Sequence, residues 1–405
     1  MAHEPLSFVQ ASDLLIDRPI TGLTQAPDAL LEALYESPRL AAERVFDAAL
    51  TEEADALLLA GDVVDLSIAS PRDLVFLTEQ FDRLAARDIP VFWAGGAADP
   101  PEAWPKSTPL PENVTFFPAG RLTQHVLKRG DKPVATVVGA SRKPGDAPPV
   151  FSKPSHAPLS VGVLYAPEEQ RASASDEVNY LALGGRSRRS TIERPVGLAH
   201  YAGTPQGRSP ADQGPSGCTV VRLDESGVAK TRFVATDSIR WGEETLEFTA
   251  GVNAAQLEQR LRERLDKVIA RSKGVDQLIS WRLHGVGPLV AELHAEGLCR
   301  SLLDELQSRT GGQRPLVWSY SLECPDAYEP PHEQLDQETI LGDLLRQVEV
   351  LRRNEAFGLD LKELLPRPIA DASLNETATI HTTDRDDLYN RAAKLGVALM
   401  TDESA

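Results

Sequence analysis

Along the first 240 residues, short apolar runs alternate with segments whose apolar positions recur at helical spacing, the pattern of a layered α/β domain. SFVQASD (7–13) opens as a strand, ALLLAGD (56–62) reads as a buried strand ending in Gly-Asp, and IPVFWAGG (89–96) as a third. Between them PRLAAERVFDAALTEE (38–53) places Ala41, Val45, Phe46 and Ala49 on one helical face, and 72–87 predicts a second helix. Helices then thin out. VTFF, HVLK, ATVVGA, LSVGVLY, YLALGG, CTVVRL and TRFVA follow one another, which predicts a second sheet. Two Pro-, Gly- and Ser-rich stretches, 143–158 and 202–217, are long enough to suggest functional or mobile loops.

The texture changes near residue 251. NAAQLEQRLRERLDKVIARS puts Leu257, Leu261, Leu265 and Val268 on one stripe behind Asn253, a candidate N-cap. QLISWRLHG reads as a strand, PLVAELHAEGLCRSLLDELQSR as a helix and PLVWSYSLE as a strand. ILGDLLRQVEVLRR is an amphipathic helix, followed by a weakly patterned stretch (365–383) and a last short helix (384–400). The expected organisation is a core over 1–240, a small α/β capping domain over 251–324 and a helical C-terminal tail over 335–405.

Composition narrows the class. No apolar run approaches the ~18 residues of a membrane span, and MAHEPLSFVQ lacks the features of a signal peptide. The three cysteines, Cys218, Cys299 and Cys324, build neither a disulfide framework nor a C-x-x-C zinc site. A cytoplasmic protein without membrane association is expected. The formal charge of −18 argues against a chain that grips DNA alone, because phosphate neutralisation supplies most non-specific affinity. DNA binding is therefore expected only through a complex.

The chemistry sits at strand ends. Asp13 follows the first strand, Asp62 ends the second and Asp99 follows the third. Carboxyl ends of strands in an α/β sheet converge on one crevice, where oxygen ligands suit a hard divalent ion. Aspartates at strand ends also cap helices and start turns, and that reading stays open here. Arg186, Arg188 and Arg189 in GGRSRRS either bind a phosphate or form a solvated basic loop.

Five ordered segments carry a resemblance. They are FVQASDLLIDRPITGL, LLLAGDVVD, IPVFWAGGAADPPEAW, YLALGGRSRR and LAHYAGTPQGRSPADQGPSGCTVVRLD. Together they resemble the SbcD-like and YhaO-like bacterial DNA-repair exonucleases of the calcineurin-like metallophosphoesterase family. The resemblance covers nearly the whole chain. It implies a four-layer α/β/β/α metallophosphoesterase sandwich in which two metal ions, usually manganese, activate a water for in-line attack on a phosphodiester. It also implies a coiled-coil ABC ATPase partner of the SbcC or YhaN kind, and pairing as a homodimer.

Carried across the same motifs, the family's metal ligands survive at Asp13 and Asp62 alone, with Asp99 beside them. Leu15 stands for the His of D-x-H, Ala97 and Ala98 for the Asn and His of G-N-H-D, Tyr165 for the mid-domain His, and Gly185 and Ser187 for the G-H-x-H pair. Gln10 replaces an earlier His, and His200 is the histidine nearest the altered motif. A vestigial site is expected, holding no metal or at most a single weakly bound Mn²⁺ or Mg²⁺. The leading expectation is a catalytically inactive scaffold or regulatory subunit of a DNA-processing complex. Its rivals are a divergent phosphodiesterase or nuclease with a reduced metal site, and a phosphate- or nucleotide-binding sensor built on the three arginines.

Overall fold

The computed structural model describes residues 5–23, 26–145, 159–168, 178–294, 297–310, 315–325, 335, 338–353, 388–389, 392–393 and 396. The predicted loop at 143–158 beyond Gly145, the stretch 365–383 and most of the last helix lie outside them. The chain divides into two compact units, one of Met1–Gly242 with Ser272–Leu278 and Arg314–Leu316, the other of the remaining segments to Ala405.

In the first unit six strands form one sheet in the order β12-β11-β1-β2-β3-β4. These are β1 (Leu6–Ala11), β2 (Ala56–Leu59), β3 (Val91–Trp93), β4 (Val114–Phe116), β11 (Gly217–Leu223) and β12 (Ala229–Ala235). β1 to β4 pair in parallel, while β11 lies antiparallel to both β1 and β12. The second sheet runs β5-β6-β7-β8-β10-β9, from β5 (Thr123–Arg129), β6 (Lys132–Ala140), β7 (Leu159–Tyr165), β8 (Tyr180–Gly184), β9 (Ser190–Glu193) and β10 (Leu198–Tyr201). VTFF, CTVVRL and TRFVA, which sequence order assigns to the second sheet, therefore belong to the first. For β11 the reason is two-sided burial: Cys218 and Val220 pack towards the helices, Val221 and Leu223 towards the other sheet, as a central strand requires.

The α/β class read from the sequence is the class observed, built in layers by strand alternation. Val9, Leu57, Leu59, Val91 and Trp93 face α1 (Asp28–Thr51) and α2 (Pro71–Ala85) through Phe46, Leu77 and Phe81. Phe8, Leu58 and Phe92 point the opposite way, onto Val137, Val161 and Tyr180 of the second sheet. α1 starts ten residues before the predicted segment because it runs through Pro38. Proline has no N–H for the carbonyl of Leu34. The Ser37 hydroxyl donates to that oxygen instead, at 3.0 Å.

The second unit contains most of a three-stranded sheet, β13-β14-β15 (Ile239–Phe248, Asp276–Gly285, Val317–Glu323). Its helices are α3 (Ala254–Arg271), α4 (Pro288–His294), α5 (Leu298–Thr310) and α6 (Ile340–Arg353). Leu257, Leu261, Leu265 and Val268 of α3 bury against Ile279, Trp281 and Leu283. Asn253 and Gln256 cap α3 reciprocally, each side-chain oxygen accepting the other's backbone N–H at 2.9 and 3.1 Å. Glu244, buried on β13, receives Arg264 and Arg271 from α3. No helix among the described residues is long and apolar enough to cross a membrane.

Candidate functional site

Asp13 and Asp62 lie just beyond the ends of β1 and β2, on backbone that is itself unusual. Asp13 (φ 55°), Leu15 (φ 40°) and Asp62 (φ 54°) all occupy the left-handed region. That region costs a residue with a Cβ roughly 1–2 kcal/mol and is tolerated better by Asp than by Leu. The surroundings hold it in place. Asp13 N–H donates to Gly61 O at 2.9 Å, Leu15 N–H to Asp62 O at 3.0 Å and Ile16 N–H to Val63 O at 3.3 Å. From the other side the half-buried Arg208 guanidinium donates to the carbonyls of Asp13 (3.1 Å), Leu14 and Leu15 (3.4 Å). Burial pushes Arg208 down to about 10, with Asp13 and Asp212 opposing. Sequence reasoning missed Arg208, although the PQGR segment that contains it was among the matching motifs.

The two aspartates are brought together. Burial pushes Asp13 up to about 6; the hydrogen bond from the Gly185 N–H opposes this, and the charge of Asp62 adds to it. Asp13 Oδ2 accepts the Gly185 N–H at 3.0 Å, and Asp62 Oδ1 accepts the Ala98 N–H at 2.8 Å.

Asp99 does not face them as a third ligand. Fully buried, its carboxylate accepts the N–H groups of Asp62 (2.9 Å), Val63 (3.0 Å) and Gly96 (2.5 Å) and the indole of Trp93 (2.8 Å). Burial pushes it up to about 7 against the pull of these donors. Its work is to fix the turn that presents Asp62.

Tyr165, at the end of β7, lies against the pair. A methyl group on Gly61 would stand 2.5 Å from its Cδ2, one on Gly96 2.7 Å from the same atom, and one on Gly185 3.1 Å from Cε2 and Cζ. Burial raises the phenol's pKa, and the nearby charge of Asp62 raises it further.

Gln10 and His200 belong to the core. Gln10 joins the sheets, donating to Leu183 O (3.1 Å) and His200 O (2.8 Å) and accepting from Tyr180. His200 has both ring nitrogens occupied, Nδ1 by Thr191 Oγ1 (2.8 Å) and Nε2 by Thr219 Oγ1 (3.0 Å). Burial pushes it down to about 4, so the ring stays neutral at ordinary pH.

Arg186, Arg188 and Arg189 hold separate partners. Arg186 donates to Pro167 O (3.0 Å) and lies over the Tyr201 ring, Arg188 donates to Ala211 O (3.1 Å), and Arg189 reaches Thr231 Oγ1 (3.3 Å) over Phe233.

A cleft of about 580 Å³ opens beside Asp62, lined by Arg18, Asp65, Ser67, Ala98 and Tyr165 among others. Its cation, Arg18, is paired with Asp65 at 2.5 Å. The residues present do not fit a two-metal centre. Leu15, Ala97, Ala98 and Gly185 offer no side-chain donor, and no group of three or more His, Cys, Asp or Glu among the described residues is placed to hold a metal ion.

No family model matches the chain. A relative does: the chain is 24% identical over 354 residues to "Uncharacterized metallophosphoesterase YhaO" of Bacillus subtilis (strain 168), covering 82% of this chain and 84% of that protein. The similarity is to a protein named as a metallophosphoesterase. Among solved structures, a dimetal phosphatase from Danio rerio is similar at 10% identity, covering 56% of this chain and 98% of that one, with a TM-score of 0.36. An uncharacterised predicted phosphoesterase of Streptococcus pneumoniae TIGR4 is similar at 13% identity, covering 57% and 100%, with a TM-score of 0.28. The chain has its paired strand-end aspartates in left-handed backbone, with Leu15, Ala97, Ala98, Tyr165 and Gly185 around them.

Proposed function

We propose that this metallophosphoesterase-like chain performs no phosphodiester hydrolysis of its own and serves as a scaffold or regulatory subunit of a DNA-processing complex. The observation that carries the reading is the donor set. Among the described residues Asp99 is committed to N–H donors and Asp65 to Arg18, which leaves Asp13 and Asp62; each already accepts a backbone N–H, and no group of three or more potential ligands surrounds them. In-line hydrolysis by a metal pair requires ligands on both ions and an open water position, and two aspartates cannot provide them. The complex follows from the resemblance to SbcD-like and YhaO-like exonucleases, whose partner is a coiled-coil ABC ATPase. With a charge of −18, the chain reaches DNA through that partner rather than alone. Pairing of two copies belongs to the same reading.

A divergent one-metal phosphodiesterase is the second reading, favoured by the persistence of both aspartates side by side in left-handed backbone. Two carboxylates with several waters hold Mg²⁺ or Mn²⁺ weakly. Metal analysis of the purified chain and Mn²⁺-dependent cleavage of a generic phosphodiester and of linear DNA, each beside Asp62→Asn, separate the two. The expected result is no stoichiometric metal and no difference between the proteins. Stoichiometric manganese with turnover lost in Asp62→Asn would establish the enzyme instead.

A further inference from the structure

Missing ligands alone leave a weak site, because Asp13 and Asp62 together remain a place for one hydrated cation. We propose that Tyr165 closes that place. Its ring is a built-in plug over the aspartate pair, so the site excludes divalent cations rather than merely lacking ligands for them. This rests on the metal-free reading above and adds a mechanism to it.

The geometry is that of a filled cradle. Gly61, Gly96 and Gly185 come from three different strand ends and meet one aromatic ring: a methyl group on Gly61 or Gly96 would have to displace it, and one on Gly185 would press on it at 3.1 Å. Gly61 (φ 92°) and Gly185 (φ 94°) adopt conformations open to glycine. The two aspartates flank the same ring: Gly185, under its Cε2–Cζ edge, donates to Asp13, and a methyl group on Gly96 would meet Asp62 Oδ1 as well as the ring. Mg²⁺ demands near-octahedral coordination and sheds water reluctantly. An ion approaching these carboxylates would have to fit its remaining waters where the ring lies.

The test is thermal unfolding of the full chain in EDTA and in 10 mM MnCl₂. Wild type and Tyr165→Phe, which keeps the ring, are expected to differ by less than about 1 °C between the two buffers. Tyr165→Ala is expected to gain about 2–4 °C with Mn²⁺, the shift for a ligand about ten times above its Kd on a domain of this size. The gain should vanish in Tyr165→Ala/Asp13→Asn. If alanine prevents folding by circular dichroism, Tyr165→Thr removes the ring while keeping a strand-forming residue. A folded ring-deleted variant with no metal response would overturn the plug and leave the metal-free reading standing. An equal response in Tyr165→Phe would also overturn it, by placing the exclusion in the hydroxyl alone. A wild-type shift abolished by Asp62→Asn would overturn the metal-free reading itself and the plug with it.

Discussion

Asp99→Ala is expected to be the most damaging single substitution in the first unit, lowering its stability by about 4 kcal/mol or more, or preventing folding at 25 °C. The carboxylate is fully buried and takes four N–H donors from Asp62, Val63, Gly96 and Trp93. Each buried donor left without a partner costs about 1–3 kcal/mol. Some of that is recovered if water enters the space. Asp99→Asn keeps an acceptor oxygen but turns an NH₂ towards donors, so about half the loss is expected. Urea unfolding followed by tryptophan fluorescence measures both, and Trp93, a direct partner, reports the site. A loss below about 1 kcal/mol for alanine would mean that the turn presenting Asp62 is held by something other than Asp99. The result also bears on function, since an Asp99 committed to backbone N–H groups is unavailable to a cation.

Asp13→Asn is expected to act in the opposite direction, stabilising the protein by about 2 kcal/mol at pH 8 and by little at pH 4. Burial, with a smaller contribution from Asp62, raises Asp13 to about 6, against an ordinary value of 3.8. The sign follows from which state holds the proton. Between about pH 4 and 6 the folded chain keeps it while the unfolded chain has lost it. Stability therefore falls as pH rises through that window, and above it the folded protein carries a disfavoured charge. At 1.36 kcal/mol per pH unit, roughly two units bound the effect near 3 kcal/mol. Asparagine retains an oxygen for the Gly185 N–H and carries no charge. Guanidinium unfolding from pH 4 to 8, in EDTA, should give diverging curves for the two proteins. Parallel curves would mean that Asp13 is better solvated or better paired than its surroundings indicate.

Much of the fold was legible locally because burial imposes a period on sequence. The apolar stripe of α3 and its Asn253 cap reappear as buried Leu257, Leu261, Leu265 and Val268 behind a reciprocal capping pair. The strand-end positions of Asp13 and Asp62 were equally visible, since an Asp after a buried apolar run can leave the sheet in few ways. Sheet membership was less legible. β4, β11 and β12 look in sequence like the strands of the second sheet, and adjacency in sequence does not say which edge of which sheet a strand will join.

What the sequence by itself determined is the layered α/β class and the aspartates at its strand ends, because each depends on residue identity and local periodicity. The tertiary structure alone decided what the remaining polar groups do. Asp99 turned into a backbone cradle, His200 was absorbed between two threonines, and three neighbouring arginines went to three partners. Arg208 was brought beneath Asp13, and the Tyr165 ring came down on glycines from both sheets. Gln10 is a measure of the distance involved: it meets the carbonyl of His200 across 190 residues of chain. Local propensity sets where a backbone turns. Which donor a buried carboxylate or ring finds is fixed only when distant segments are packed together and every polar group left inside must be satisfied.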